Sequence, residues 1–156
     1  MDMEKVYKVF VGLVAVAALG FVFYSNYMVV EPPEIVLEIE DQTFKGADGS
    51  NCWKRSPFSA RCVDTIGPAG LVEMAELENI SVEGGAYIEP ETVGYREPKT
   101  YQYRILTYNN SVVEQGSFTD RKQFPRTGHY ILEISANWDR GDAHYVFPVA
   151  LGGLDI

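Results

Sequence analysis

The chain has 156 residues, room for one domain of ordinary size and an appendage. Its 22 acidic side chains outnumber the 13 basic ones and leave a formal net charge of −9 at pH 7. After Lys8 the only adjacent basic pairs are Lys54-Arg55 and Arg121-Lys122, which argues against a nucleic-acid partner, because phosphate recognition needs clustered cations.

Residues 1–8 read as a short tail carrying Lys5 and Lys8. From Val9 to Val30 the run VFVGLVAVAALGFVFYSNYMVV holds no charge. As a helix it would span about 33 Å, enough for a hydrocarbon core of roughly 30 Å. The next basic residue is Lys45. The positive-inside bias therefore predicts a single-pass helix over 9–30, with the tail in the cytoplasm and the C-terminal domain outside the cell membrane. Tyr24 and Tyr27 fall where an outer aromatic belt would sit.

Ala15-Val16-Ala17 offers a pattern for signal cleavage. Cutting there would leave only Val9–Val14 as apolar core and strand Leu19–Tyr24 on the mature protein, so an uncleaved signal anchor is the expectation. No cysteine follows the run until Cys52, which argues against a lipid-anchored form, and no early Glu after Gly12 supports a pilin-type leader. A buried core helix is also a poor fit, since no polar face interrupts the run. Residues 31–34, Glu-Pro-Pro-Glu, form a stiff spacer, because proline lacks an N–H donor and favours extended backbone.

Period-two alternation dominates residues 35–152. Ile35, Leu37 and Ile39 share one face of a first strand. A short helix over Ala69–Leu77 follows Pro68, with Leu71, Met74 and Ala75 on one side. Thr100–Tyr108 places Tyr101, Tyr103 and Ile105 together, Asn109-Asn110 turns, and Val112–Phe118 returns as a partner strand. Next, Tyr130, Leu132, Ile134, Ala136 and Trp138 alternate with Glu133, Ser135 and Asn137. Asp139–Asp142 makes a turn, and Ala143, Tyr145, Phe147, Val149 and Leu151 alternate on the way back. Residues 153–156 are a C-terminal tail. The pattern predicts an all-β fold, an immunoglobulin-like antiparallel β-sandwich with one short helix, preceded by the transmembrane helix. Tyr130 occupies a position like that of the tyrosine corner in such sandwiches.

Cys52 and Cys62, the only cysteines, match neither a C-x-x-C redox motif nor a zinc knuckle. Two histidines complete the possible soft ligands. A tight Asp139–Asp142 turn would set His144 opposite Asn137, leaving His129 roughly 26 Å away along the strand. On the oxidising side of a membrane a disulfide is the expected state. Its closure is worth about 2.5–3 kcal/mol on the chain-entropy model. Trp53 is expected to pack over the sulfurs.

Other chemistry is thin. Asp139 and Asp142 bracket a turn and are weak calcium candidates, although Asp and Gly are also what a tight turn requires. Asp64 reads as a local turn cap. Tyr101, Tyr103 and Tyr108 offer stacking surfaces for a sugar, but alternation assigns the first two to the core. Asn79 and Asn109 begin N-glycosylation triplets. The Glu38–Asp41 stretch reads as the charged side of an edge strand. No G-x-S-x-G elbow or glycine-rich phosphate loop occurs, and no cofactor is expected.

Two stretches carry a family resemblance. One is Gly49-Ser50-Asn51-Cys52-Trp53 with Cys62-Val63-Asp64 and Pro68 downstream. The other is Gly128-His129-Tyr130 leading to Trp138-Asp139-Arg140-Gly141-Asp142 and Tyr145-Val146-Phe147. With these the chain resembles uncharacterised membrane- or lipid-anchored extracytoplasmic β-domain proteins of Gram-positive bacteria and archaea. Relatives often have an aromatic residue at the position of Asn51, and many carry a lipid-anchor cysteine that this chain lacks. The resemblance implies a small β-rich domain displayed outside the membrane and brings no activity with it. The leading expectation is a non-catalytic binding or accessory protein at the cell surface, held by its helix, with an envelope protein or surface ligand as partner. Alternatives are a structural subunit of an envelope complex or surface filament and, remotely, a hydrolase using Asp64, Asp139, Asp142 or His144.

Overall fold

A computed structural model describes residues 3–27 and 31–152. Residues 28–30 of the expected membrane run and the tail 153–156 lie outside the described residues. Helix α1 spans Met3–Tyr27 and contains no proline. Helical geometry begins inside the basic tail, where Lys8 Nζ meets Glu4 Oε1 at 2.6 Å one turn away. Val6–Tyr24 is apolar apart from Lys8 and unburied. Among the described residues, this one helix is long and apolar enough to cross a bilayer.

The rest of the chain folds as β1 (Glu34–Ile39), β2 (Gln42–Lys45), β3 (Ala47–Ser56), β4 (Ser59–Val63), α2 (Pro68–Met74), β5 (Ile80–Val82), β6 (Ile88–Val93), β7 (Thr100–Leu106), β8 (Val112–Phe118), β9 (Gly128–Trp138) and β10 (Gly141–Leu151). A small sheet has the order β2-β1-β6 and a large one β4-β3-β10-β9-β7-β8. Strand β5 adds to the far end of β10 in parallel, from Val149 to Leu151. The architecture is an all-β sandwich of two sheets that are otherwise antiparallel.

Alternation builds the core. Ile35, Leu37 and Ile39 of β1 and Ile88 of β6 close over Tyr103, Ile105, Leu132, Ile134 and Phe147 of the large sheet. Trp53 stacks edge-on against Trp138, ring centroids 5.5 Å apart. On the other face of the large sheet, Leu71 and Val72 of α2 cover Leu106, Ile131 and Val146. The centre of that sheet is thus buried on both sides. This explains why the end of β10 is apolar at successive positions, as in any strand covered on both faces.

Three sequence expectations are corrected here. The buried face of α2 is Leu71 and Val72, not Leu71, Met74 and Ala75; Met74 is 69% exposed. The helix is too short to complete the stripe that i, i+3, i+4 spacing implies. Strands β2 to β6 fall outside the sequence-read set: β3 is polar for much of its length and β6 carries Pro90, which normally demotes a strand. The β9–β10 loop has two residues, Asp139 and Arg140, with Trp138 paired to Gly141. His144 therefore faces Ser135 rather than Asn137. His129 lies six residues before Ser135 on the same strand, roughly 20 Å from that pair.

Candidate functional site

The β3–β4 hairpin sets Cys52 directly across from Cys62, Cα atoms 4.0 Å apart, and the two sulfurs are bonded at 2.00 Å. Neighbouring residues of a strand point to opposite faces, so Trp53 turns inward and is 1% exposed while Cys62 faces solvent. The indole consequently packs on Trp138 and Tyr95 and does not cover the sulfurs. That corrects the sequence expectation.

Beside this hairpin lies a cleft of about 570 Å³, between the start of β1, β3, β4 and β10. Glu31, Glu34 and Asp48 supply carboxylates, Arg55 and Arg61 supply guanidinium groups, and Asn51 adds an amide. The wall toward β1 is held by Tyr145, whose hydroxyl donates to the Pro33 carbonyl. Burial, then the charges of Asp48 and Glu34, push the Tyr145 hydroxyl above its ordinary value and keep it a donor. Asp48 is open to solvent on one side. Surrounding protein, followed by Glu34 and Glu31, nonetheless raises its carboxyl above the ordinary aspartate value. Lys45 Nζ offsets part of this field through Glu34 at 2.8 Å. Groups of both signs in one cleft suit a ligand that is itself dipolar: guanidinium forks take carboxylate or phosphate, and the carboxylates take an ammonium.

A second polar group occupies the outer face of the large sheet. Arg104 Nε donates to Glu133 Oε2 at 2.6 Å, and Ser135 Oγ lies 2.9 Å from His144 Nδ1. Glu133 Oε1 reaches the same imidazole nitrogen at 3.5 Å. Burial pushes the Glu133 carboxyl up, but hydrogen bonds and charges from His144 and Arg104 outweigh it and hold the group below its ordinary value. Ser135 and Glu133 thus share one ring nitrogen, and Asp142 stands 3.9 Å from the other, beyond hydrogen-bond range. A nucleophile relay needs serine and carboxylate on opposite nitrogens, both within hydrogen-bond reach. This cluster instead ties β7, β9 and β10 together.

The remaining sequence candidates are dispersed. Asp139 pairs with Lys99 at 2.5 Å, and that ammonium holds its carboxyl below the usual range. Asp142 approaches His144, but Asp64, Asp139 and Asp142 line neither this cleft nor the smaller cavity beside α2. Among the described residues no group of three His, Cys, Asp or Glu side chains gathers as a metal site. Asn79 is exposed and accepts a hydrogen bond from the Tyr108 hydroxyl at 3.0 Å. Asn109 is exposed and its Oδ1 accepts from the Ser111 amide at 3.2 Å. Tyr103 is buried, with its hydroxyl donating to Glu114; Tyr101 is half-buried, bonded to Glu97 and Thr92; Tyr108 is exposed.

Sequence reasoning assigns no role to Arg140, yet the fold does. It is buried, and its guanidinium Nη2 donates to the Lys54 carbonyl at 2.6 Å while its ring-facing side lies over Trp53. The two-residue turn thereby clamps the stapled hairpin. An arginine inside a tight turn was the available signal, since a turn alone does not require one. Against family models, curated proteins and solved structures, the chain finds no significant match.

Proposed function

We propose that this chain is a single-pass membrane protein with its N-terminus in the cytoplasm and a non-catalytic binding or accessory domain at the cell surface, the cleft beside the stapled hairpin being its ligand seat. The observation that carries the reading is an unburied apolar helix of membrane length joined to a disulfide-stapled sandwich. Nineteen residues from Val6 to Tyr24 span about 29 Å as a helix, close to the hydrocarbon thickness. A disulfide belongs on the oxidising side.

The kinship with anchored extracytoplasmic β-domain proteins is part of the same proposal. The two stretches that carry it are neighbours in the fold, with Trp53 paired to Gly141 and Cys52 to Asp142. An immunoglobulin-like character is supported by Tyr130, whose hydroxyl donates to the Thr127 carbonyl at 3.2 Å in the manner of a tyrosine corner.

The test has two arms in intact cells. After mild reduction, a membrane-impermeant maleimide should label Cys52 and Cys62 without lysis. A photo-reactive side chain at Asn51 should then give a discrete crosslinked adduct that weakens in Arg61→Glu. Labelling only after lysis would overturn the orientation, and no adduct from Asn51 would overturn the cleft as a seat.

A further inference from the structure

The tip of the β3–β4 hairpin has chemistry that the sandwich does not use. Ser56 pairs with Ser59, leaving Pro57 and Phe58 as a two-residue loop, and the Phe58 ring is 99% exposed. The turn is set locally: Ser56 Oγ and Ser59 Oγ lie 2.9 Å apart, and the Phe58 amide donates to Ser56 Oγ at 3.3 Å. An aromatic ring held in water at a rigid tip contributes nothing to folding. Around it, Lys54, Arg55 and Arg61 gather three of the chain's 13 basic residues into one hairpin of a protein with net charge −9.

We infer that this hairpin is a second membrane contact, placing Phe58 in the interfacial region of the outer leaflet while Lys54, Arg55 and Arg61 face anionic lipid phosphate. The inference rests on the proposed membrane anchoring of α1. Three further observations support it. Ser56 and Pro57 line one apolar groove with Leu19 and Phe23 of α1. Leu19 lies about 8 Å along the helix from Tyr24, the last residue of the membrane-length segment Val6–Tyr24, and interfacial segments bury their apolar side roughly 5–10 Å. The arm is stiff, being stapled at Cys52–Cys62 and clamped by Arg140 on the Lys54 carbonyl, so the ring is positioned before it meets lipid. The outer side of the small sheet carries the opposite sign, Glu38 directly facing Glu89 with Glu91 beyond, and would be repelled by the same headgroups. Arginine stems can lie along the acyl boundary while their heads reach phosphate. The basic wall of the cleft then faces the bilayer surface.

The full chain carrying Phe58→Trp tests this in vesicles of phosphatidylcholine with phosphatidylglycerol, using lipids brominated high on the acyl chain. Trp53 and Trp138 are buried and supply a constant background in the wild type. The expected result is blue-shifted emission with bromine quenching well above that background. Quenching should fall at least twofold in Phe58→Trp/Lys54→Glu/Arg61→Glu, and Tyr108→Trp should show none. If the chain floats with the vesicles but the added emission of Phe58→Trp is water-like and unquenched, or if Tyr108→Trp is quenched equally, the hairpin contact is wrong and the anchor stands. If the chain does not float at all, the anchoring reading fails and this inference with it.

Discussion

Arg104 of β7 and Glu133 of β9 stand directly opposite each other, and the guanidinium holds a carboxylate that is only 6% exposed. Removing the guanidinium would leave this buried carboxylate with the His144 imidazole, 3.5 Å away, as its remaining partner. Arg104→Ala should therefore cost about 3 kcal/mol, the low end for a buried pair because the guanidinium itself is half-exposed. Urea unfolding followed by the fluorescence of buried Trp53 and Trp138 measures it. A loss under about 1 kcal/mol would class the pair with surface bridges.

The same carboxylate and Asp48 give opposite pH signatures. The Glu133 carboxyl sits below its unfolded value near 4.5, so its contribution is present above that pH and lost as pH falls through the folded value. Asp48 sits above its unfolded value near 3.8, so its contribution is present below that pH and lost as pH rises through the folded value. Asp48→Asn should accordingly be slightly more stable than wild type at neutral pH and indistinguishable from it well below 3.8. Thermal melts across that range decide it. A neutral-pH loss would mean that Asp48 is held by a favourable partner.

Reducing the disulfide should cost about 2.5–3 kcal/mol. Among the described residues strand β4 is the edge of the large sheet and pairs only with β3, so its amides should lose exchange protection first. Cys52→Ser/Cys62→Ser should reproduce the effect of reductant. Unchanged stability in both would show that pairing with β3 alone holds the edge.

Gly141 opens β10 at φ 150°, and a Cβ there would lie 1.9 Å from the Cys52 carbonyl oxygen. Gly141→Ala should destabilise by about 4 kcal/mol or more, because backbone must move to admit the methyl group. Gly84→Ala, with open space around it, is the control and should change little. Equal unfolding midpoints for the two variants would refute the close approach of β3 to the turn.

Much of the architecture is legible from residue order alone, and the reason is local. A membrane-length helix needs only an unbroken apolar run, and β1, β7, β9 and β10 each show an apolar face at period two because each turns one face into the space between the sheets. The strands that escape such reading break one of those rules. Strand β3 spends half its length beside an open polar cleft and β6 tolerates Pro90, so neither advertises a dry face. The cleft itself joins Glu31, Asp48, Asn51 and Arg61, which no spacing rule connects. The partnership of His144 with Ser135 was decided by a turn two residues long instead of four. Periodicity reports which side of a strand is buried; it carries no information about which other strand lies alongside or in what register. Those depend on closing loops and fitting side chains across the sandwich, and only the packed tertiary structure settles them.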